Sequence, residues 1–570
     1  MSVTCAELLV TLLERHGVRL VAGIPGGTIL PIYDALARSA QIRHLLVRHE
    51  QAAGFVAQGY ARATGRVGVC LASSGPGATN LLTAVADAQR DSIPLLAITG
   101  QVPRAMIGTD AFQEVDTCAL ARVVTKFSAQ VRRADELPGI LATALSEAQS
   151  GRPGPVWIDI PKDVQTECVS DACALPQASA PALPATPADT IVEAAAEAIA
   201  GAQRPILYLG GGLVQAQAAP LARALAECQD MPAVMTLMAL GTFPKGHPLS
   251  LGMLGMHGSR ASHAVLRETD LLIALGARFD DRATGRLADF CPQAKVIHVD
   301  IDARELGKLR IPDIAIAGDL GCVLRALLPR LRPRTRPLWQ ARVAALRAAY
   351  PDREGGPGAP RALLQKVARA APAEAIVVSD VGQHQMWVAQ HYPLADARRW
   401  LTSGGLGTMG FGLPVAIGAA YARPEVPVIC FTGDGGLLMN IQELATAAEA
   451  DVNVKVIVLD NQSLGLVAQQ QALFYAAPGF GSRFAQATDY VTIARGFGIP
   501  AFDAGDAGEG PDFWSDVLTT QGPCLVRVPV DAREQALPIV PPGPPIGRRS
   551  ADRSGRRRIV QPSVPRWYRA

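Results

Sequence analysis

The stretch FTGDGGLLMN, residues 431–440, places one carboxylate, Asp434, among glycines directly after an apolar run. A second apolar run, VKVIVLDN, ends at Asn461, 27 positions after Asp434. One helix-like segment separates the two runs, so we predict neighbouring parallel strands joined by a right-handed crossover. The carboxyl ends of such strands meet at one edge of the sheet. Asp434 and Asn461 are therefore expected to lie a few ångströms apart.

The residue types at this edge indicate a divalent cation. A carboxylate and an amide oxygen, completed by phosphate oxygens, a carbonyl and water, suit octahedral Mg²⁺. Gly433, Gly435 and Gly436 would let a phosphate approach the backbone and the start of the following helix. Taken alone, GDGG would more simply be a tight strand-to-helix turn capped by Asp434; the partner Asn461 is what favours a cation. No G-x-x-x-x-G-K-[ST] motif occurs, so the pattern is not a P-loop.

The length and composition indicate a multidomain globular protein. A chain of 570 residues is expected to hold about two to four domains. No uninterrupted apolar run reaches the roughly 18 residues that span a bilayer, and the N-terminus lacks a signal peptide's basic start. A cytoplasmic location without membrane contact is therefore expected. The ten cysteines include no C-x-x-C pair, which argues against a zinc site or a disulfide framework.

The net charge of +3 hides an uneven distribution of charged residues. Residues 541–570 contain eight Arg and one Asp, so the rest of the chain is net acidic. A basic, Pro-rich segment of this kind is usually a solvated, disordered end. We therefore predict a disordered tail and no nucleic-acid partner.

Short β-branched runs alternate with helical patterns along most of the chain, which predicts βαβ units and buried parallel sheets. Two breaks, an Ala/Pro/Ser-rich stretch at 166–190 and a Pro-rich stretch at 336–360, are predicted as linkers. The first and third blocks share a layout of apolar run, Gly-rich turn and helix, which hints at a duplicated fold. The prediction is an α/β protein with three doubly wound parallel-sheet domains, at 1–165, 191–335 and 361–540.

The middle block contains LGGGLVQ, which places Gln215 where the third glycine of G-x-G-x-x-G would stand. As a dinucleotide fingerprint this motif fails. The acids of HVDID, at the end of a later apolar run, could meet a ribose but are weak evidence alone. A nicotinamide-dependent dehydrogenase is therefore disfavoured.

The spacing of Asp434 and Asn461 resembles the diphosphate motif of thiamine-diphosphate enzymes, in which a GDG motif is followed by Asn. The resemblance implies that the side chains of Asp434 and Asn461 and the backbone carbonyl of Ser463 hold Mg²⁺. The family usually has Asn-Asn where this chain has Asp460-Asn461. The ligand position is intact, so binding is expected to be retained.

Longer segments resemble the acetohydroxyacid synthase (acetolactate synthase) family over about 540 residues. RHEQAAGFVAQGYARATG, SSGPGATN and GRPGPVWIDIPKDVQ are similar to its first domain. LGMLGMHG, GARFDDR and HVDID are similar to its FAD-binding middle domain, and DVGQHQMW and LTSGGLGTMGFGLPVAIGAA to its diphosphate domain. GLVAQQQALFY is most similar to the bacterial isozyme I type of catalytic subunit, whereas the tail has no counterpart.

The resemblance implies decarboxylation of pyruvate on thiamine diphosphate, followed by transfer of the two-carbon unit to a second pyruvate or to 2-ketobutyrate. The products would be 2-acetolactate or 2-aceto-2-hydroxybutyrate, in the first common step of valine, leucine and isoleucine biosynthesis. The three domains would bind, in chain order, the pyrimidine ring, FAD, and the diphosphate with Mg²⁺. A homodimer or dimer of dimers and a small regulatory subunit are also implied.

Functional residues carry over from the resemblance by position. Glu50, in RHEQAAG, is the acid expected beside the pyrimidine ring, where it lets the ring's amino group become a base. Met409 is expected to prop the cofactor in a bent shape, with Gly407 accepting from that amino group. Arg282 is expected to clamp the carboxylate of the second substrate. The other catalytic candidates are Phe112, Gln113, Lys126 and Gln470.

The implied cofactor contacts form two larger sets. The thiamine-diphosphate contacts are Pro25, Gly27, Glu50, Asn80, Gln383, His384, Gly407, Met409, Gly433, Gly435 and Gly436. The FAD contacts are Arg152, Gly211, Gly212, Thr236, Leu237, Met256, His257, Gly276, Arg278, Asp280, Arg282, Asp300 and Asp319. In this family the flavin is expected to be structural rather than a net redox carrier.

Each of these candidates also has a simpler structural explanation. Glu50 could be an acid at a helix N-terminus, where the macrodipole favours it, and Met409 could fill the core. Arg282 and Lys126 could be exposed surface charges. A lone histidine such as His384 is more often a structural hydrogen-bonding group, so the VGQHQ motif carries its assignment.

Two further positions depart from the family pattern. Most members have Trp where this chain has Gln470, and the isozyme I type has Gln. An apolar pocket discriminates one methylene by only about 1–3 kcal/mol, so losing the Trp should flatten the preference for 2-ketobutyrate over pyruvate. The segment TKF, with Phe127, departs from the common TKH and has no explanation in the sequence.

Other functions remain open at this stage. Pyruvate oxidase, a related thiamine-diphosphate enzyme, passes electrons to its flavin and would consume oxygen. Glyoxylate carboligase is disfavoured because it lacks the acid that Glu50 supplies. A non-catalytic nucleotide-binding assembly subunit is disfavoured because Glu50, Asp434 and Asn461 are all present.

Overall fold

The computed structural model describes residues 3–169, 186–351, 360–505 and 512–540. Three six-stranded parallel sheets organise these residues, one in each predicted block, and the predicted fold class is confirmed. The predicted tail, 541–570, and most of the first predicted linker lie outside the described residues.

The first domain is built on one such sheet and a short antiparallel pair. Its strands are β1 (Val3–Thr4), β2 (Leu20–Gly23), β3 (Arg43–Leu46), β4 (Gly68–Ala72), β5 (Leu95–Gln101), β6 (Phe127–Gln130), β7 (Pro155–Pro161) and β8 (Cys168–Val169). Its helices are α1 (Cys5–Arg15), α2 (Leu30–Leu36), α3 (Glu50–Thr64), α4 (Pro76–Asp91), α5 (Thr117–Arg122), α6 (Leu137–Gln149) and α7 (Lys162–Gln165). Strand β8 pairs with β1, so the chain returns to its start before the linker.

The middle domain has the same kinds of elements in a different order. Its strands are β9 (Pro205–Leu209), β10 (Ala233–Met235), β11 (Ser250–Met253), β12 (Leu271–Leu275), β13 (Lys295–Asp300) and β14 (Ile314–Ala317). Its helices are α8 (Asp189–Gly201), α9 (Gly211–Gln215), α10 (Ala219–Cys228), α11 (Arg260–Glu268), α12 (Asp281–Thr284) and α13 (Leu320–Leu327). Helix α14 (Pro337–Ala349) occupies the second predicted linker and packs on this domain, where the Trp339 indole donates to the Pro205 carbonyl at 3.1 Å.

The third domain completes the described chain. Its strands are β15 (Ile376–Ser379), β16 (Trp400–Thr402), β17 (Val428–Gly433), β18 (Val454–Asp460), β19 (Ala501–Asp503) and β20 (Cys524–Pro529). Its helices are α15 (Pro360–Ala370), α16 (Gln383–His391), α17 (Gly412–Ala422), α18 (Asp434–Leu438), α19 (Glu443–Ala450), α20 (Gly465–Phe474), α21 (Tyr490–Gly496) and α22 (Phe513–Thr519).

The order of strands relates the three sheets. The first sheet runs β3-β2-β4-β5-β7-β6 and the third runs β16-β15-β17-β18-β20-β19. Counted along the chain, both orders are second, first, third, fourth, sixth, fifth, which agrees with the shared layout seen in the sequence. The middle sheet runs β11-β10-β9-β12-β13-β14, the order of the doubly wound dinucleotide-binding fold.

Both faces of each sheet are buried, as continuous apolar strands predict. In β4, Val69 and Leu71 pack into one core while Cys70 and Ala72 pack into another. The second of these cores is shared with the third domain, because it also contains Val428 of β17. The first and third domains therefore have a common hydrophobic core.

The predicted adjacency of the two runs around Asp434 and Asn461 is confirmed. Strands β17 and β18 are parallel neighbours, with Gly433 opposite Leu459 at their carboxyl ends. Asp434 begins α18 directly after β17, and Asn461 follows β18 by one residue. Their backbones consequently leave the same edge of one sheet.

Helices α3 and α17 join the first domain to the third at very close range. A Cβ atom on Gly59 of α3 would lie 2.1 Å from the carbonyl oxygen of Val415. In return, a Cβ atom on Gly418 of α17 would lie 2.0 Å from the carbonyl oxygen of Val56. Glycine is required at both positions because the backbones themselves are in contact. This contact sets the relative position of the two sheets.

The glycine contact leads to a stability prediction. Gly59→Ala is expected to lower the unfolding free energy by about 1–3 kcal/mol, because a methyl group forced into a packed interface displaces the backbone. The matched control is Gly139→Ala in α6, where nothing lies within 4 Å of an added Cβ. That change should be neutral or stabilising by about 0.5–1 kcal/mol. Unfolding midpoints in urea measure both, and equal shifts would contradict the interpretation.

Candidate active site

The residues predicted to hold a metal ion converge at the edge of the third sheet. The Asp434 carboxylate accepts hydrogen bonds from the backbone N–H groups of Gly435 at 2.7 Å and Ser463 at 3.0 Å. The Ser463 hydroxyl lies 3.0 Å from the Asn461 side-chain oxygen, to which it donates. Burial raises the pKa of Asp434 to about 6, although these N–H bonds lower it. A carboxylate, an amide oxygen and a hydroxyl are thus brought together at this edge of the sheet.

Among the described residues, no group of three His, Cys, Asp or Glu side chains could hold a metal ion. The cluster around Asp434 has a different composition, since it pairs one carboxylate with the neutral oxygens of Asn461 and Ser463. Such a set leaves most coordination positions to a ligand and to water, which is how proteins commonly bind Mg²⁺ with phosphates.

A second ring of polar side chains surrounds this cluster. The Asn461 amide donates to the Gln383 side-chain oxygen at 3.1 Å, and Gln383 donates to Gln469 at 2.8 Å. His384 is buried, and its Nε2 atom has no hydrogen-bond partner in the described part of the chain. A Cβ atom on Gly433 would lie 2.9 Å from the His384 ring. The ring atom nearest this Cβ is Nδ1, whereas the unpaired Nε2 would lie 3.7 Å from a Cβ atom on Gly382. Glycine backbone on both sides of a buried imidazole is an arrangement that fits an anionic ligand.

The loop before α17 contains Gly407 and Met409, and Met409 lies beside the Asp434 cluster. A Cβ atom on Gly435 would lie 3.5 Å from the Met409 methyl group, so Met409 borders the GDGG turn. The loop is anchored by Asp380, whose carboxylate accepts from the N–H groups of Gly410 at 3.0 Å and Gly412 at 2.9 Å. Burial raises the pKa of Asp380 to about 6. The sequence analysis did not identify Asp380, although an acid directly after the run IVVS was a visible indication.

Glu50 lies at the corresponding edge of the first sheet. It is the first residue of α3, and its carboxylate accepts a hydrogen bond from the Asn80 amide at 2.9 Å. Pro25 and Gly27 are exposed in the loop after β2. No hydrogen bond or ion pair in the described ranges links Glu50 or Asn80 to the Asp434 cluster. Glu50 and the Asp434 cluster follow strands of different sheets, and we call them the Glu50 half and the Asp434 half of the candidate site.

The segment that contains Phe112 and Gln113 is exposed at the surface of the chain. Phe112 is 86% exposed, and Gln113 has a left-handed backbone with φ of 62°. A Cβ atom on Gly75 would lie 2.9 Å from the Gln113 Cβ, so Gln113 borders the start of α4. The structure places these two residues near the Glu50 half of the site.

A large cavity of about 1060 Å³ lies where the three domains meet. All thirteen predicted FAD contacts line it, from Arg152 of the first domain to Asp319 of the middle domain, together with Gly407 and Gln470. Two buried polar atoms at its wall, Thr236 Oγ1 and His257 Nε2, have no hydrogen-bond partner in the described part of the chain. The cavity size and these unpaired atoms fit a large polar ligand.

Backbone packing explains the Gly-rich turn of this cavity. A Cβ atom on Gly210 would lie 2.1 Å from the Gly276 carbonyl oxygen, and one on Gly212 would lie 2.8 Å from the Gly276 Cα. The ends of β9 and β12 therefore touch. Helix α9 is only five residues long, and Gln215, which stands where the third fingerprint glycine would be, is its last residue. The sequence analysis missed Glu305, which lines the cavity and pairs with Arg152 at 2.9 Å.

Arg282 lines the large cavity, where its guanidinium lies 3.5 Å from the Met256 sulfur. Lys126 is placed elsewhere. Its ammonium donates to the carbonyls of Glu147 and Ser150 at the end of α6, and burial lowers its pKa. Within its own chain Lys126 is thus a helix-terminus residue.

The structure explains two departures from the family pattern, Phe127 and Asp460. Phe127 begins the edge strand β6 opposite Val156 and packs against the core of the first domain. Asp460 is buried, and its carboxylate pairs with the Arg527 guanidinium at 2.8 Å. The extra acid beside Asn461 is therefore neutralised by an arginine of the adjacent strand.

Comparison with known proteins identifies the family. Three models of thiamine pyrophosphate enzymes match in succession: the N-terminal TPP binding domain at residues 3–120, the central domain at 192–327 and the C-terminal TPP binding domain at 380–528. The acetolactate synthase isozyme 1 large subunit of Escherichia coli (strain K12) is 53% identical over 543 residues, 95% of this chain and 96% of the relative. The chain belongs to the acetolactate synthase family.

Other members of the acetolactate synthase family are similarly related. The isozyme 2 large subunit of the same strain is 46% identical over 552 residues, 94% of this chain and 97% of the relative. Acetolactate synthase 1, chloroplastic, of Zea mays is 43% identical over 558 residues, 94% of this chain and 87% of the relative. The resemblance deduced from the sequence motifs is confirmed.

Membership in the acetolactate synthase family assigns thiamine pyrophosphate, or thiamine diphosphate, to the two matched TPP binding domains. The Glu50 half of the site lies within the first of these and the Asp434 half within the second. None of the helices in the described residues is long and apolar enough to cross a bilayer.

Proposed function

We propose that this chain is the catalytic subunit of an acetolactate synthase, which decarboxylates pyruvate and joins the two-carbon unit to a second 2-keto acid. The observation that carries the proposal is the convergence of Asp434, Asn461 and Ser463 beside the unpaired His384 nitrogen, in a chain of this family. When bound, thiamine diphosphate supplies the stabilisation of negative charge that decarboxylation requires. The protein's part is to hold, orient and activate it.

The cation in this proposal is Mg²⁺, held by Asp434, Asn461 and the Ser463 carbonyl. The buried carboxylate favours a positive ion, because an ionised group without a counter-charge is costly in the interior. The glycines at 433, 435 and 436 leave the backbone accessible to the diphosphate, and His384 and Gln383 would contact it.

The large cavity would hold FAD. Its middle-domain wall has the strand order of dinucleotide-binding folds, although Gln215 replaces the third fingerprint glycine. Thr236 and His257 offer the unpaired polar atoms to this ligand. Burial lowers the pKa of His257 to about 4, and its Nδ1 atom lies 3.0 Å from the Pro538 carbonyl. The ring is then neutral, with Nδ1 donating and Nε2 free to accept.

Arg282 would bind the carboxylate of the second 2-keto acid, since a guanidinium matches that group in a bidentate fashion. Gln470, on α20, would shape the pocket for the acceptor's alkyl group. Glu50 would activate the pyrimidine ring through a hydrogen bond. Its contact with Asn80 supports this role, because the amide orients the carboxylate without neutralising it.

A homodimer is the minimum unit in this proposal, in which the Glu50 half of one copy would face the Asp434 half of the other. Apolar side chains near each half are uncovered: Phe112 and Val123 in the first domain are 86% and 84% exposed, and Tyr475 and Phe480 in the third are 72% and 82% exposed. A second copy would cover them and join the halves. The relatives named as large subunits support a small regulatory subunit as a further partner.

Loss of the metal ligand should weaken cofactor binding. Asp434→Asn is expected to raise the Kd of thiamine diphosphate in the presence of Mg²⁺ by at least the roughly 10–100-fold that an outer-shell partner is worth at a metal site. Tryptophan fluorescence titration measures the Kd at several Mg²⁺ concentrations. Asp489→Asn, at an exposed helix cap of the same domain, should leave it unchanged. Unaltered Mg²⁺-dependent binding in Asp434→Asn would refute the proposed metal site.

Incubation of the purified protein with pyruvate, thiamine diphosphate, Mg²⁺ and FAD should yield acetolactate without oxygen uptake. Oxygen consumption matched to pyruvate loss would instead indicate a pyruvate oxidase. Glu50→Gln should keep thiamine-diphosphate binding but reduce turnover by about 10²–10⁴-fold, as loss of an acid–base group does. Near-normal turnover in this variant would remove Glu50 from the mechanism.

The acceptor preference should follow residue 470. With pyruvate and 2-ketobutyrate supplied equally, the wild-type protein is expected to form acetolactate as a major product. Gln470→Trp should shift the product ratio toward acetohydroxybutyrate by about 10-fold, within the range that one methylene allows. Val467→Trp introduces the same side chain at an exposed position of the same helix and should not shift it. A strong bias to acetohydroxybutyrate in the wild type would contradict the assignment.

A further inference from the structure

Two fully buried carboxylates outside the predicted site link the first and third domains. Glu443 begins α19 of the third domain, and Asp87 lies in α4 of the first domain. Each is on a helix that follows the third strand of its sheet, β17 for Glu443 and β4 for Asp87. Each accepts hydrogen bonds from a loop of the other domain. The two loops are those that carry Glu50 and Met409.

Glu443 holds the residues directly before Glu50. Its two carboxylate oxygens lie 3.0 and 3.3 Å from the backbone nitrogen of Arg48, which donates to them. The Thr446 hydroxyl also donates to Glu443, at 2.7 Å. His49 is the N-cap of α3, so Glu443 fixes the turn from which Glu50 emerges.

Asp87 holds the residues directly before Met409. Its carboxylate accepts from the Thr408 hydroxyl at 2.7 Å and the Ser403 hydroxyl at 2.5 Å. The Ser403 oxygen in turn accepts from the backbone N–H groups of Gly407 at 3.0 Å and Thr408 at 2.9 Å. Nearby, Asp91 accepts from the Gly405 N–H at 2.7 Å. The loop is thus bonded to α4 at several points.

The burial of these two carboxylates is not explained by a gain in folding stability. Burial raises the pKa of Glu443 to about 7 and that of Asp87 to about 6, because desolvation opposes the ionised forms. For Asp87 the buried Arg62 guanidinium, 3.4 Å away, offsets part of this cost. Apolar residues of similar size commonly stabilise such positions better. What a buried hydrogen-bonded carboxylate contributes is a defined geometry, because its partners lose free energy if they move away.

We propose that Glu443 and Asp87 are reciprocal positioning residues, each fixing the loop through which the other domain meets the cofactor. Glu443 would set the direction of the Glu50 carboxylate, and Asp87 that of Gly407 and Met409. The inference rests on the proposed function of those loops. It implies that the first and third domains of one chain must be docked before either loop has its active geometry.

The test compares Glu443→Gln with Asp87→Asn in the full-length holoenzyme. Amide hydrogen exchange should rise about tenfold or more at residues 44–52 in Glu443→Gln and at 403–412 in Asp87→Asn, in each case without change in the other loop. Turnover should fall about 10²-fold, as small displacements of reacting groups do, while the KM for pyruvate stays within about threefold.

Two matched controls make the same change of charge at acids that form no hydrogen bond or ion pair with either loop in the described part of the chain. Glu425→Gln removes an exposed acid of the third domain that pairs with Arg423, and Asp135→Asn removes an exposed acid of the first domain. Both should leave exchange in the two loops and turnover unchanged. If Glu443→Gln fails to fold, Thr446→Val removes one donor to Glu443 and should give a smaller effect in the same loop.

Three results would overturn the proposal: exchange that rises equally in both loops, exchange that does not change, and full turnover despite a mobile loop. The first would mean that the carboxylates stabilise the fold generally, and the last that loop position does not limit catalysis. If the wild-type protein forms no acetolactate, the proposed function fails separately, and the exchange measurements still decide whether these carboxylates hold the loops.

Discussion

The contact between helices α3 and α17 is the constraint on which the rest of the structure depends. Gly59 and Gly418 let the two backbones touch, and a shared hydrophobic core surrounds them. Both helices begin beside residues of the candidate site: α3 begins at Glu50, and α17 begins shortly after Met409. Their close approach therefore determines how two similar sheets face each other and where the loops at their ends are directed.

The candidate site residues lie at the edges of the sheets, where the strands end, rather than in the sheet interiors. Parallel strands deliver Asp434 and Asn461 to one edge of the third sheet, while Glu50 and Asn80 stand at the equivalent edge of the first. The middle domain contributes about half of the residues that line the large cavity, and short turns at Gly210 and Gly276 bring its strand ends together. In the proposed function, the three domains would divide cofactor binding, cofactor activation and substrate recognition among them.

The sequence predicted those parts of the fold and site that depend on local pattern. β-branched runs and the right-handed crossover rule were enough to place Asp434 and Asn461 on neighbouring strands. Family motifs then predicted the FAD contacts, and all of those residues line one cavity. Asp380, Asp87 and Glu443 were missed because each acts on backbone groups distant in sequence, and no short motif encodes such a bond. For the same reason, the environments of Lys126 at the end of α6 and of Asp460 beside Arg527 needed the structure.

The bond between Arg48 and Glu443 spans 395 positions of the chain. A ribosome adds about 5–20 residues per second, so about 20–80 s separate the synthesis of these two partners. The first domain can fold during that interval, but the turn before Glu50 waits for α19 to emerge. The turn before Glu50, although synthesised early, therefore gains its hydrogen bonds to Glu443 only after most of the chain has been made.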